Sequence, residues 1–105
     1  VNWKVVVLPE FYSDLEEAAD WYEHKLEGLG ARFAGKVLDV WADLAVNPLL
    51  NSKKLPRRNI RWRYPDKFPY KVVYCVEEET KTVVVIALLH AARHAEILRK
   101  RIRGI

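Results

Sequence analysis

"YKVVYCVEEETKTVVVIALLH", residues 70–90, is the stretch that decides the fold. Two apolar runs, 70–78 and 82–90, flank a polar tight turn near Glu79-Thr80-Lys81. Valine dominates both runs, and its branched Cβ favours the pleated chain over the helix. The pattern predicts two antiparallel strands joined as a hairpin. Both runs are apolar at nearly every position instead of every second one. Both faces of this hairpin are therefore expected to be covered.

Upstream, "NIRWRY" at 59–64 alternates strictly. Ile60, Trp62 and Tyr64 face one way, Asn59, Arg61 and Arg63 the other, which predicts a half-buried strand. "PDKFP" at 65–69 turns the chain into the hairpin, and "LLNSKKLPRR" at 49–58 reads as a basic loop. The basic arginines are placed on the sheet face away from the helices. Downstream, residues 95–102 predict a short basic helix.

The first half is helical. After a strand in "WKVVVLPEF" at 3–11, ended by Pro9, the residues Leu15, Ala18, Ala19, Tyr22 and Leu26 recur at helical spacing. Ser13 and Asp14 are candidate N-caps, so a helix is predicted over about 13–27, with its acidic residues forming a solvated face. "GLG" at 28–30 breaks it. Phe33, Val37, Val40, Trp41 and Leu44 stripe a second helix over about 31–46, stopped by Asn47-Pro48. The order is β-α-α-β-β-β-α, one α+β domain over 1–105, with a helical hairpin packed on a small antiparallel sheet.

Charge is divided unevenly. Residues 1–52 hold 4 basic and 9 acidic side chains; residues 53–105 hold 14 and 5. A basic second half suits RNA, DNA or an acidic protein partner, or is simply a solvated basic face. The single cysteine, Cys75, can form no internal disulfide and reads as a packed thiol in a reducing compartment. The longest apolar run is far short of the roughly 20 residues of a spanning helix. A cytoplasmic protein with no membrane partner is expected.

The chemical inventory excludes several classes. His24, His90, His94 and Cys75 have no recognised ligand spacing, so no metal and no cofactor is expected. No phosphate-binding glycine loop and no serine-nucleophile elbow is present. What remains is basic and aromatic. Arg61 and Arg63 project from one strand, Lys71 from the next, and His90, Arg93 and His94 sit where the last strand ends. RNA cleavage by 2′-hydroxyl attack needs a general acid, a general base and cations on the developing phosphorane, and this set could supply them. On that reading His90, Arg93, Arg61 and Arg63 are catalytic, while Lys71, His94, Arg99 and Arg101 bind. The structural alternative stands beside it: His90 bonded to backbone, Arg93 paired with a glutamate, Trp62, Tyr70 and Tyr74 in the core, and Arg99 to Arg101 as a solvated helix end.

Four pieces resemble a known family: "AADWYEHKLEGLGARFAGKV" at 18–37, "NP" at 47–48, "FPYKVVYCVEE" at 68–78 and "VVVIALLHAARH" at 83–94. In this order and spacing they resemble the RelE/ParE superfamily of bacterial toxins, the toxin halves of type II toxin–antitoxin (plasmid stabilisation) systems. The resemblance implies the same order of elements, growth arrest, and a cognate antitoxin whose often acidic tail wraps the toxin. One branch of the family cuts mRNA on the ribosome; the ParE branch inhibits DNA gyrase. "FPY", the "HAAR" ending and the lack of any tyrosine after Tyr74 resemble the ParE side. The resemblance thus implies a gyrase inhibitor, with a ribosome-dependent mRNA endonuclease and a non-toxic antitoxin-binding relative as alternatives.

Overall fold

The structure, a computed structural model, describes residues 2–50, 53–54, 59–92 and 95–103. Strand β1 is Lys4–Val7, followed by helices α1, Pro9–Lys25, and α2, Leu29–Val46. Strands β2, Lys53–Lys54, β3, Ile60–Arg63, β4, Tyr70–Glu77, and β5, Thr82–His90, come next, and α3, Ala95–Arg103, ends the described chain. The sheet order is β1-β5-β4-β3-β2.

The β4–β5 hairpin forms as its valines predict, from Tyr70↔His90 to Glu77↔Thr82. Lys81, at φ +52°, closes the turn with its N–H on Glu78 O. A bulge between Val73 and Tyr74 shifts the register so that Ile86 and Ala87 both face the same side. Coverage of both faces is observed. Val72, Tyr74, Val76, Val83, Val85 and Leu88 pack under the α1–α2 hairpin with Phe11, Phe33, Val37 and Leu44. Ile60, Val73, Ile86, Ala87 and Leu89 pack on the opposite face, where Leu98 and Ile102 of α3 cover them.

The α+β reading holds, and three details differ. First, β1 pairs with β5 in parallel, Lys4↔Thr82 to Val7↔Val85, so the sheet is mixed. Second, α1 starts at Pro9, well before 13, so Ser13 and Asp14 lie inside it. Proline ends a strand and opens a helix equally well: its missing N–H is one that the first turn leaves unpaired in any case. Third, the loop expected over 49–58 contains the two-residue strand β2, paired antiparallel with β3.

The helical hairpin is closed at its glycines. Gly28 takes φ +85°, the left-handed region, as N-cap of α2. A Cβ on Gly30 would stand 2.5 Å from Ala19 O, so only glycine lets α2 approach α1 this closely. Glu23 reaches across and accepts both N–H groups, 2.8 Å from Gly28 and 2.9 Å from Gly30. These are first-turn donors that a helix cannot satisfy internally. The bonds hold the Glu23 carboxyl below its ordinary range. At the far end, Tyr74 Oη donates to Pro48 O at 2.6 Å and fixes the exit of α2 to the sheet.

Candidate functional site

Arg61 and Arg63 pair with Tyr74 and Val72, so they lie on the hairpin side of the sheet. The expectation that they face away from the helices is therefore corrected. The alternation divided the strand correctly into two faces. The apolar side, Ile60 and Trp62, goes under α3, and the arginine side meets the chain leaving α2. There Arg63 Nη2 donates to Asn47 O and Leu50 O. Arg61 Nε donates to Asn59 Oδ1 at 3.0 Å, and its Nη1 reaches Leu49 O at 3.5 Å. Carbonyls after a helix end are natural partners for guanidinium donors.

Lys71 lies on the opposite face, with Nζ 4.7 Å from the Trp62 ring centroid. Arg99 is exposed on α3. Arg101 is half-buried and grips Asp14 with both terminal nitrogens, Nη2 to Oδ1 at 2.9 Å. The bonded Asp14 carboxylate pushes the Arg101 guanidinium further above its ordinary range. Asp14 Oδ2 also accepts the Leu88 N–H at 3.0 Å, and Arg101 reaches Ile86 O at 3.5 Å. This clasp ties α1, β5 and α3 together. Arg93 and His94 lie outside the described residues.

His90 ends β5 on the hairpin side, exposed, with its ring edge-on to Tyr70 at 5.3 Å. Its Nδ1 accepts the Ala92 N–H at 3.1 Å, which leaves the hydrogen on Nε2. Behind it stands an aromatic stack: Tyr70 and Phe68 both meet Tyr22 and Phe33 at centroid distances of 5.0–6.0 Å. Burial pushes the phenols of Tyr22 and Tyr70 up, and the nearby Glu17 carboxylate pushes Tyr70 further. Both phenols stay protonated near neutrality, so neither is a ready base.

His90 opens on a groove of about 850 Å³ between α1, the end of β5 and α3. Its floor includes Trp21, Tyr70, Leu88 and Ile97, and its α1 wall carries Asp14, Glu17 and Asp20. The structure therefore brings His90 together with carboxylates. Arg61 and Arg63 are two strands away on the same face, and Lys71 is on the other face. The acidic wall was read as an ordinary solvated helix face. Its signal was available: Asp14, Glu17, Asp20 and His24 recur every three or four residues along one side of α1. Among the described residues no group of three or more His, Cys, Asp or Glu is placed to hold a metal ion.

Residues 5–95 match the family described as ParE toxin of type II toxin–antitoxin system, parDE. No curated protein matches the chain. Among solved structures, a chain of the RelBE2 toxin–antitoxin complex from Mycobacterium tuberculosis is 25% identical at TM-score 0.61, covering 86% of this chain and 99% of that one. The chromosomal ParDE system of P. aeruginosa gives 12% identity and TM-score 0.69, over 84% of this chain and 95% of that one. A mutant of the E. coli toxin RelE in the free state gives 17% and 0.68, over 100% and 99%. The last two likenesses carry the fold alone. With 5–95 matched and the glycine-closed hairpin on its mixed sheet, the chain belongs to the ParE toxin family of type II toxin–antitoxin systems.

Proposed function

We propose that this protein arrests growth by binding DNA gyrase, without cutting RNA, and that a cognate antitoxin neutralises it. One observation carries the reading. Among the described residues, three of the cations that a nuclease would turn on a phosphodiester are engaged elsewhere: Arg63 on the carbonyls of Asn47 and Leu50, Arg101 on Asp14, Lys71 on the far face. His90 instead shares its groove with Glu17 and Asp20, whose charge repels a phosphate backbone. The family match supports the toxin role, and with the RelBE2 neighbour it supports a partner antitoxin. Among the described residues no helix is long and apolar enough to cross a membrane, and on this reading the protein acts in the cytoplasm.

The test is a supercoiling assay with purified gyrase beside a translation reaction analysed by primer extension. Lost supercoiling with no new mRNA ends is the expected result. New 5′ ends that require ribosomes would replace this reading with the endonuclease one, which the exposed His90 beside the groove favours; His90→Ala would then abolish cleavage. Neither effect, with folded protein and normal growth on induction, would make it a non-toxic antitoxin binder.

A further inference from the structure

The groove beside His90 contains more than carboxylates: it exposes a strand edge. β1 accompanies β5 only as far as Val85. Past that point, among the described residues, the β1 side of β5 has no strand neighbour. Lys71↔Leu89 and the Ala91 N–H bond to Pro69 O, at 2.8 Å, fix which residues turn toward β4. Leu88 and His90, which alternate with them, turn their backbone groups to the open side. The bonds seen there agree: Leu88 N–H goes to Asp14, and the Ile86 carbonyl, on the same edge, to Arg101. The next groups on this edge are Leu88 O and the N–H and C=O of His90, and both residues line the groove.

The wall opposite defines what side chain fits. Asp14 is occupied by Arg101, which leaves Glu17 and Asp20 as the groove's carboxylates. Trp21 is 54% exposed, enough to offer a ring face. It already attracts an ammonium, since Lys25 Nζ sits 4.8 Å from its centroid. Carboxylates beside aromatic faces recognise Lys or Arg. Ile97, 46% exposed, and Leu88 add apolar contact. On a chain of net charge +4 this negative recess is a local exception, and charge complementarity selects its occupant.

We propose that the groove between α1 and the free edge of β5 takes an extended segment of a partner protein that pairs with residues 88–90 and places a Lys or Arg between Glu17, Asp20 and Trp21. The mode is strand addition, with main-chain bonds giving affinity and the side-chain recess giving specificity. The inference deepens the antitoxin reading and rests on it: the masking segment is basic where it crosses this groove, against the acidic tail that the basic second half suggests.

The probes are three capped peptides, Val-Arg-Val-Arg-Val and its twins with Glu or Gln in place of Arg. Calorimetry measures affinity, and amide NMR shifts locate binding on the full chain. The Arg peptide is expected to bind with Kd on the order of 100 µM. The Glu twin should bind at least tenfold more weakly, and amide shifts should centre on 88–90. Glu17→Lys with Asp20→Lys should cost tenfold or more, with Glu17→Gln and Asp20→Gln between; circular dichroism checks that each stays folded. Equal binding of the Glu twin, undiminished binding to the lysine variant, no binding at all, or shifts centred elsewhere would overturn the proposal. So would a 12-mer RNA that displaces the Arg peptide, or self-association in sedimentation that the lysine variant abolishes, which would make a second copy the occupant. Growth arrest and gyrase inhibition read on the same variants separate the two readings. Arrest without peptide binding overturns the groove alone. Peptide binding by a protein that neither arrests growth nor inhibits gyrase supports the groove and overturns the toxin reading.

Discussion

The two faces of the sheet are covered in different ways. The hairpin face is sealed by two long helices, with Phe11, Phe33, Val37, Leu44, Val72 and Tyr74 each at 0% exposure. The other face is covered by α3, nine residues long, through Leu98 and Ile102. Among the described residues, the ion pair that ties it to the rest of the fold is Arg101 on Asp14. A face closed by interlocked rings and glycines opens only when the whole domain unfolds. A face closed by one short helix and a clasp can open alone.

The largest effect should come from the sealed face. Phe33 touches Tyr22, Phe68 and Tyr70 at centroid distances of 4.9–5.1 Å. Phe33→Ala should cost about 3–5 kcal/mol by lost burial and the cavity left behind, read as a fall in the denaturant midpoint. A loss near that of a surface residue would show that the two faces do not differ as described. Gly30→Ala comes next. Its Cβ would meet the backbone of Ala19, which cannot swing aside as a side chain could. The gain in helix propensity is smaller than the cost of parting α1 from α2, and a net loss of about 2–3 kcal/mol is expected.

These two positions also show what the sequence made legible. The helical stripe identified Phe33 as core, and the valine runs identified β4 and β5, because burial leaves a local period. The parallel pairing of β1 was not legible, since which strand neighbours which leaves no local period. The start of α1 was hidden because Pro9 serves equally as a strand's end and a helix's first residue. For Arg61 and Arg63 the alternation gave two faces without saying what covers each. Two guanidinium groups expected on the face away from the helices in fact bond the chain leaving α2. The groove was missed for the same reason: Glu17 and Asp20 look like any solvated helix face until α3 and the edge of β5 stand opposite them.

The clasp sharpens the comparison from the other side. Arg101→Met keeps the side-chain length and removes the bonds to Asp14 and Ile86 O. Hydrogen bonds to charged groups are worth about 1.5–3 kcal/mol, and α3 should lose protection of about that size. The readout is hydrogen exchange: faster exchange in 95–103, with the amides of α1, α2 and β4 nearly unchanged. Equal acceleration everywhere would mean that α3 unfolds only with the rest.

The smallest effect tests the seal by pH. Glu23 is solvent-facing, and its carboxyl is held below the ordinary 4.5 first by the Gly28 N–H and then by the Gly30 N–H. A depressed carboxyl favours the folded chain while it is ionised. The stability it adds is fully present above the unfolded value and is lost as pH falls through the folded one. The wild-type protein should therefore lose stability, as pH falls below the unfolded value and through the lowered folded one, that Glu23→Gln does not lose. At pH 7 the glutamine variant should be slightly weaker, since a neutral amide oxygen accepts less strongly than a carboxylate. The two melting curves should converge on acidification. The substitution leaves every other carboxylate in place, so the difference between the curves isolates the lock at the helical turn. Parallel curves would mean that Gly28 and Gly30 hold the hairpin by backbone shape alone.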